Sequence, residues 1–186
     1  MSLKNQILLC FLCLLCSCGD TEFEYTGHRS YLIFDNSLHL DPTLMASTNA
    51  QSPGIFCHIR LSDASHLSFE NNHGLSSRAV LSAEEQRRTM ILGVYSPSGI
   101  IVGFGTLSQP PLFYAYDAQC PNCYEESNMP RYQLTMDTSG HATCKNCHRS
   151  YDMNNGGIVS SGPGGNKLFR YRASTTGPTG ILAVNN

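Results

Sequence analysis

Asp117-Ala118-Gln119-Cys120-Pro121-Asn122-Cys123 and, twenty residues beyond, Cys144-Lys145-Asn146-Cys147 are the stretch on which the reading of this chain turns. Two residues between the cysteines of each pair allow a tight turn that aims both sulfurs at one ion, leaving backbone amides free to donate to the thiolates. Two such knuckles on facing loops make a tetrahedral four-sulfur site. Zinc prefers that geometry, and a single iron or an iron–sulfur cluster can also use it. The spacing assigns metal binding to Cys120, Cys123, Cys144 and Cys147; it leaves the metal open and specifies no reaction. Disulfide bonding is the competing chemistry in an oxidising compartment. It would join cysteines of different loops, because a bond within one pair closes a small, strained ring.

Working outward, the flanking segments have the pattern of short strands. Leu112 to Tyr116 delivers the chain to the first pair, and Ile100-Ile101-Val102-Gly103-Phe104 precedes it. Arg131-Tyr132-Gln133-Leu134-Thr135-Met136 alternates polar with apolar, the period of a half-buried strand. Thr138-Ser139-Gly140 turns it, and His141-Ala142-Thr143 leads into the second pair. Residues 168–173 and 181–184 form a final hairpin around Gly177-Pro178-Thr179-Gly180. Both knuckles are therefore expected on loops between antiparallel strands.

The first half is less regular. Tyr31-Leu32-Ile33-Phe34 and residues 54–61 read as strands, residues 41–52 as a turn-rich connection, and residues 62–77 as a polar inserted loop. Ser82-Ala83-Glu84-Glu85 is a capping box that starts one short helix through Arg88, the only one expected. Residues 90–95 read as a further strand. The chain has 16 glycines and 9 prolines, no tryptophan and only 14% charged residues, which suits short strands and many turns. A formal net charge of −2 without any basic stretch argues against a nucleic-acid partner.

The N-terminus has the features of an export signal. Lys4 precedes an unbroken apolar run from Ile7 to Leu15, too short to span a bilayer. Leu15-Cys16-Ser17-Cys18 resembles a bacterial lipobox. The resemblance implies that residues 1–17 are a lipoprotein signal peptide, removed before Cys18, with diacylglycerol on the Cys18 thiol. Residues 18–29 would be a polar tether and residues 30–186 a single domain. The expected location is the membrane of a Gram-negative-type cell envelope, the outer membrane by preference, held by the lipid anchor.

The cysteine stretch and its continuation also resemble a family. Asp117-Ala118-Gln119-Cys120-Pro121 and Cys144-Lys145-Asn146-Cys147-His148-Arg149-Ser150-Tyr151-Asp152 are similar to the two cluster-binding boxes of Rieske proteins. Asn155-Gly156-Gly157-Ile158-Val159-Ser160-Ser161-Gly162-Pro163 looks like the glycine turn and proline-containing loop that follow the second box, and residues 168–171 and 180–184 are similar to the closing strands. The resemblance covers residues 99–186. It implies a mostly β fold: a Rieske-like antiparallel β-sandwich with a two-knuckle metal-binding lobe, zinc-ribbon-like or rubredoxin-like, over about 117–163. Rieske boxes hold one Cys and one His each, however. Here Cys123 and Cys147 stand at the His positions, and the first gap is two residues instead of one. The ligand role carries over to Cys120 and Cys144 by position and reaches Cys123 and Cys147 as substituted ligands.

Four thiolates favour one zinc over a [2Fe-2S] cluster or a mononuclear iron. The neighbouring residues have simpler readings. His148 and His141 are expected outside the ligand set, and Cys57 in the core, with His58 on the opposite face of its strand. Gly162-Pro163-Gly164-Gly165 lacks the Lys-Ser/Thr of a phosphate loop and reads as a turn. Arg149, Arg170 and Arg172 with Tyr151 and Tyr171 suggest a small cationic–aromatic surface. No nucleophile or acid–base constellation stands out. The expectation is a non-enzymatic binding or structural protein with a zinc staple; the alternative is an electron carrier with iron and a redox partner.

Overall fold

The computed structural model describes residues 24–186, so the expected signal peptide, Cys18 and the first part of the tether lie outside the described residues. The first half runs β1 (Tyr31–Asp35), α1 (Asn36–His39), α2 (Pro42–Ser47), β2 (Phe56–Asp63), β3 (His66–Asn71), β4 (Ser76–Val80), α3 (Ala83–Arg87), β5 (Ile100–Phe104) and β6 (Phe113–Asp117). The second runs α4 (Pro121–Ser127), β7 (Leu134–Met136), β8 (His141–Cys144), β9 (Ser150–Asp152), a 3-10 turn (Met153–Asn155), β10 (Ile158–Ser161), β11 (Arg170–Thr175) and β12 (Ile181–Asn185). All strand pairs are antiparallel. They form an eight-stranded sheet in the order β1-β12-β11-β6-β5-β2-β3-β4 and a four-stranded sheet in the order β10-β9-β8-β7.

Side-chain alternation explains the layering. On β1 and β12 every second residue is buried, so each strand has one covered face. On β2, β5 and β6 the buried runs are continuous, which requires a layer on both sides. Cys57, Ile59, Ile100, Val102 and Ala115 enter one core together with Leu32 from β1, Phe69 from β3, Ala79 from β4 and Val184 from β12. Strands from both edges meet in that one cluster, so the large sheet is curled around it. Helix α2 lies against the inner face and inserts Leu44. The intervening residues Phe56, Ile101, Tyr114 and Tyr116 point the other way and form a second core under the four-stranded sheet. Each fully buried Leu, Ile or Phe contributes roughly 1.5–3 kcal/mol relative to exposure.

Several expectations change. Residues 62–77 are not an inserted loop: β2 runs on to Asp63, and β3 and β4 complete a meander. Leu67 and Phe69 are buried while His66, Ser68 and Glu70 face outward, a period of two that the polar partners disguise. Residues 41–52 contain α2, begun by Asp41, whose carboxylate accepts from the Thr43 and Leu44 amides, with Pro42 in the first turn. Four α-helices occur among the described residues instead of one. The capping-box helix is present, with the Ser82–Glu85 exchange complete. Residues 90–95 make a single bridge, Ile91 to Tyr31, and no strand. The expected strand at 131–136 narrows to β7.

The tether expectation also changes within the described residues. Thr26 N donates to the Arg170 carbonyl at 2.9 Å, and Glu24 pairs with Arg170 at 2.8 Å. His28 packs on Phe169 and Tyr124. Residues 24–28 are thus docked on the domain. Tyr25 lies against the guanidinium groups of Arg170 and Arg172, and Tyr114 lies under Arg170. These are the aromatic partners of the two arginines; Tyr151 and Tyr171 are buried in the two cores.

Candidate metal centre

The lobe that carries the cysteines leaves the large sheet after β6 and returns at β11, its neighbour. Asp117 closes its base. The carboxylate accepts from the Val94 amide at 2.7 Å, the Gln119 amide at 2.8 Å and the Tyr171 hydroxyl at 2.7 Å. Burial raises the Asp117 carboxyl above the usual range, against those three donors. Tyr116 donates to the Met153 carbonyl at 2.9 Å across the second core.

The two knuckles differ. The first is not a loop between strands: Cys120 is the N-cap of α4 and Pro121 its first helical residue, a position that needs no amide. The helix places Cys123 one turn on, beside Cys120, and ends at Asn128 in the left-handed region. The second knuckle is a tight turn between β8 and β9, as expected. Its His148 has φ of 59° and donates its amide to the Cys144 carbonyl at 3.0 Å, while the Cys144 amide donates to the Arg149 carbonyl. A third segment holds both. Arg149 reaches the carbonyls of Pro163 and Gly164, and Asn122 exchanges two hydrogen bonds with the backbone of Asn166. Gly162, at φ of 93°, has no room for a side chain: a Cβ would stand 2.6 Å from the His148 carbonyl oxygen.

These elements bring the four expected sulfurs together. Cys120 and Cys147 are 3.6 Å apart, Cys123 and Cys144 3.8 Å, and all four Sγ atoms lie within 4.8 Å of one another. A disulfide would need about 2.05 Å. Four sulfurs each about 2.3 Å from one tetrahedral ion would stand about 3.8 Å apart. The donor set and its spacing fit a single metal ion. Cys120, Cys123 and Cys144 are buried, and Cys147 is half-buried at the rim.

Hydrogen bonds prepare the sulfurs for the thiolate form. The Tyr151 hydroxyl lies 3.1 Å from Cys120 Sγ and accepts from Asn122 Nδ2 at 2.9 Å, which leaves its proton for the sulfur. Asn146 Nδ2 donates to Cys123 Sγ at 3.4 Å. Burial pushes the Cys120 and Cys123 thiols up, against these donors. Burial works the same way on Cys147, but the Arg149 amide and guanidinium outweigh it and bring this thiol down to about 7. A dication bound there would add the largest local charge and favour all four thiolates.

Asn122 and Asn146 are not singled out in the sequence, although both knuckles share the pattern Cys-x-Asn-Cys, and Tyr151, expected on a cationic–aromatic surface, instead lies buried beside Cys120. The expectations for the neighbouring histidines and for Cys57 hold. His148 is exposed, and His141 is engaged with Ser139 Oγ at 2.9 Å, neither with the sulfurs. Cys57 is in the inner core and His58 on the opposite face of β2. No helix among the described residues is long and apolar enough to cross a membrane. No protein-family model, curated protein or solved structure matches the chain.

Proposed function

We propose that this protein is an exported, lipid-anchored envelope protein in which Cys120, Cys123, Cys144 and Cys147 hold one structural zinc. The observation that carries the metal assignment is the mutual spacing of the four sulfurs, which suits one tetrahedral ion. Two irons bridged by sulfide would draw the thiolates of one iron away from those of the other, and that does not suit a set in which every sulfur is within 4.8 Å of every other. The lipid anchor at Cys18 and the outer-membrane location rest on the lipobox resemblance. The Rieske-like reading is supported by the order of parts: two cysteine boxes, then the 162–166 segment, latched to the second knuckle through Arg149 and to the first through Asn122, on a lobe inserted in a larger antiparallel sheet. The role is non-enzymatic. The zinc fixes α4, the β8–β9 turn and the 162–166 segment relative to one another.

A second reading is a mononuclear-iron electron carrier. It is favoured by the half-buried Cys147, which gives the centre an edge toward solvent. Metal analysis by mass spectrometry, with a visible spectrum of protein purified anaerobically, decides between them. One zinc per chain without colour is the expected result. Iron with thiolate-to-iron absorption would replace the structural role with electron transfer. Metal-free protein with cysteines linked between the knuckles would overturn both.

A further inference from the structure

The outer face of the large sheet changes character where the lobe stops covering it. Phe56 is sealed in the second core, but His58 and Arg60, on the same face of β2, line an open cleft of about 600 Å³. Glu70, opposite His58 on β3, lies beside them. The facing wall belongs to the lobe and includes Gln133 and, from the second knuckle, Lys145. Ile101 and Leu134 also contribute to the lining. The lining is mostly polar, with Asn71, Asn72 and Thr135 beside the charged groups, so a ligand that suits it is small and polar.

Asn71 and Asn72 of the lining are spent on backbone groups, but its charged groups are little used by the protein. The side chains of Glu70 and Lys145 make no ion pair or hydrogen bond among the described residues, and Arg60 spends only Nε, on Ser68 Oγ at 3.1 Å. His58 is 7% exposed, and its Nε2 is engaged with the Ser98 carbonyl, which places the proton there. Nδ1 is then an acceptor. It has no protein partner, and it belongs to a residue that lines the cleft. Burial lowers the His58 pKa and keeps the ring neutral.

We propose that this cleft binds a small amino acid or dipeptide carrying two carboxylates and one ammonium group. The carboxylates would meet Arg60 and Lys145, and the ammonium would meet Glu70 and His58 Nδ1. The charges match one for one: Glu70 and Lys145 stand exposed at the mouth of the cleft, Arg60 is half-buried and His58 is buried at its floor. The proposal does not depend on which metal the knuckles hold.

Calorimetric titration of the full-length protein with L-alanyl-L-glutamate and L-glutamate tests it. At least one should bind. Glutarate, which lacks the ammonium, and L-alanyl-L-glutamine, which lacks the second carboxylate, should bind at least about tenfold more weakly than the better of the two. Lys145→Met should weaken binding about tenfold, and Glu70→Gln should erase the preference over glutarate, both with metal content unchanged. No heat with either probe at millimolar concentration, equal binding of the controls, or unchanged binding in both variants would overturn the proposal.

Discussion

The two cores lie on opposite faces of the same three strands, and they are held by different means. The inner one gathers aliphatic and aromatic side chains from every strand of the eight-stranded sheet, and its single cysteine, Cys57, packs there as a small apolar group. The outer one is roofed by strands of three and four residues. Sheets that small rarely stand alone. Three of its buried side chains are cysteines, and a fourth, Cys147, packs at its edge. Where chain length supplies enough apolar surface, burial suffices; where it does not, the four sulfurs are placed so that ligation of one ion could replace the missing area.

The strongest way to break that contrast is at the sulfurs. Cys120→Ser or Cys144→Ser should abolish stoichiometric metal and forfeit most of the roughly 10 kcal/mol or more that a structural zinc contributes at neutral pH. Amide exchange should accelerate across β7, β8, β9 and the 162–166 segment, with β2, β3 and β5 still protected. Exchange rising equally in both regions would show that the lobe and the large sheet are one cooperative unit.

The converse lesion is Phe69→Ala, which should cost about 3–5 kcal/mol in denaturant unfolding while the folded protein retains its metal. Cys57→Ala belongs to the same side and should leave metal content alone. Metal loss from the folded Cys57 variant would move that residue out of the apolar core.

A finer test is Tyr151→Phe. It keeps the ring and removes the hydroxyl beside Cys120 Sγ, so metal affinity should fall about 10–100-fold in a chelator competition. Unaltered affinity would mean that the hydroxyl serves only Asn122. The smallest expected effect concerns acid. Glu85 is held below the usual carboxylate range. Burial opposes this, and the Ser82 amide, the Ser82 hydroxyl and His39 outweigh it. A depressed folded pKa contributes stability above the unfolded value near 4.5 and loses it as pH falls through the folded value. Glu85→Gln should therefore cost about 1 kcal/mol at pH 7, a difference that closes on acidification below pH 4 or so. A constant gap across pH would assign the effect to packing.

The cysteine lobe is more legible in the sequence than the sheet that supports it. Ligand spacing is local, and so are the capping box at Ser82 and the turn at 177–180; each was legible because a few adjacent residues carry it. The β3–β4 meander was missed because His66, Ser68, Glu70 and Ser76 give the segment a polar average, and only the alternation of Leu67 and Phe69 marks a buried face. The double layering of β2, β5 and β6 depends on what covers each face, which no window of sequence contains. The first knuckle's helix could have been read from Pro121 directly after Cys120. The docking of residues 24–28 could not, since its partners are Arg170, Arg172, Phe169 and Tyr124.

The lobe departs from Asp117 and returns at Phe169, where the Asp117 amide donates to the Phe169 carbonyl at 2.9 Å. An insertion whose two ends already touch adds almost no loop-closure entropy to its host, so such a unit can be gained, lost or transplanted with little disturbance to strand order. Joining β6 to β11 by a hairpin turn would preserve the eight-stranded register. It would also bare Phe56, Ile101, Tyr114 and Tyr116, so a host without the lobe would need polar residues at those four positions. Polar residues at those positions would mark a chain of this sheet order built without the cysteine lobe.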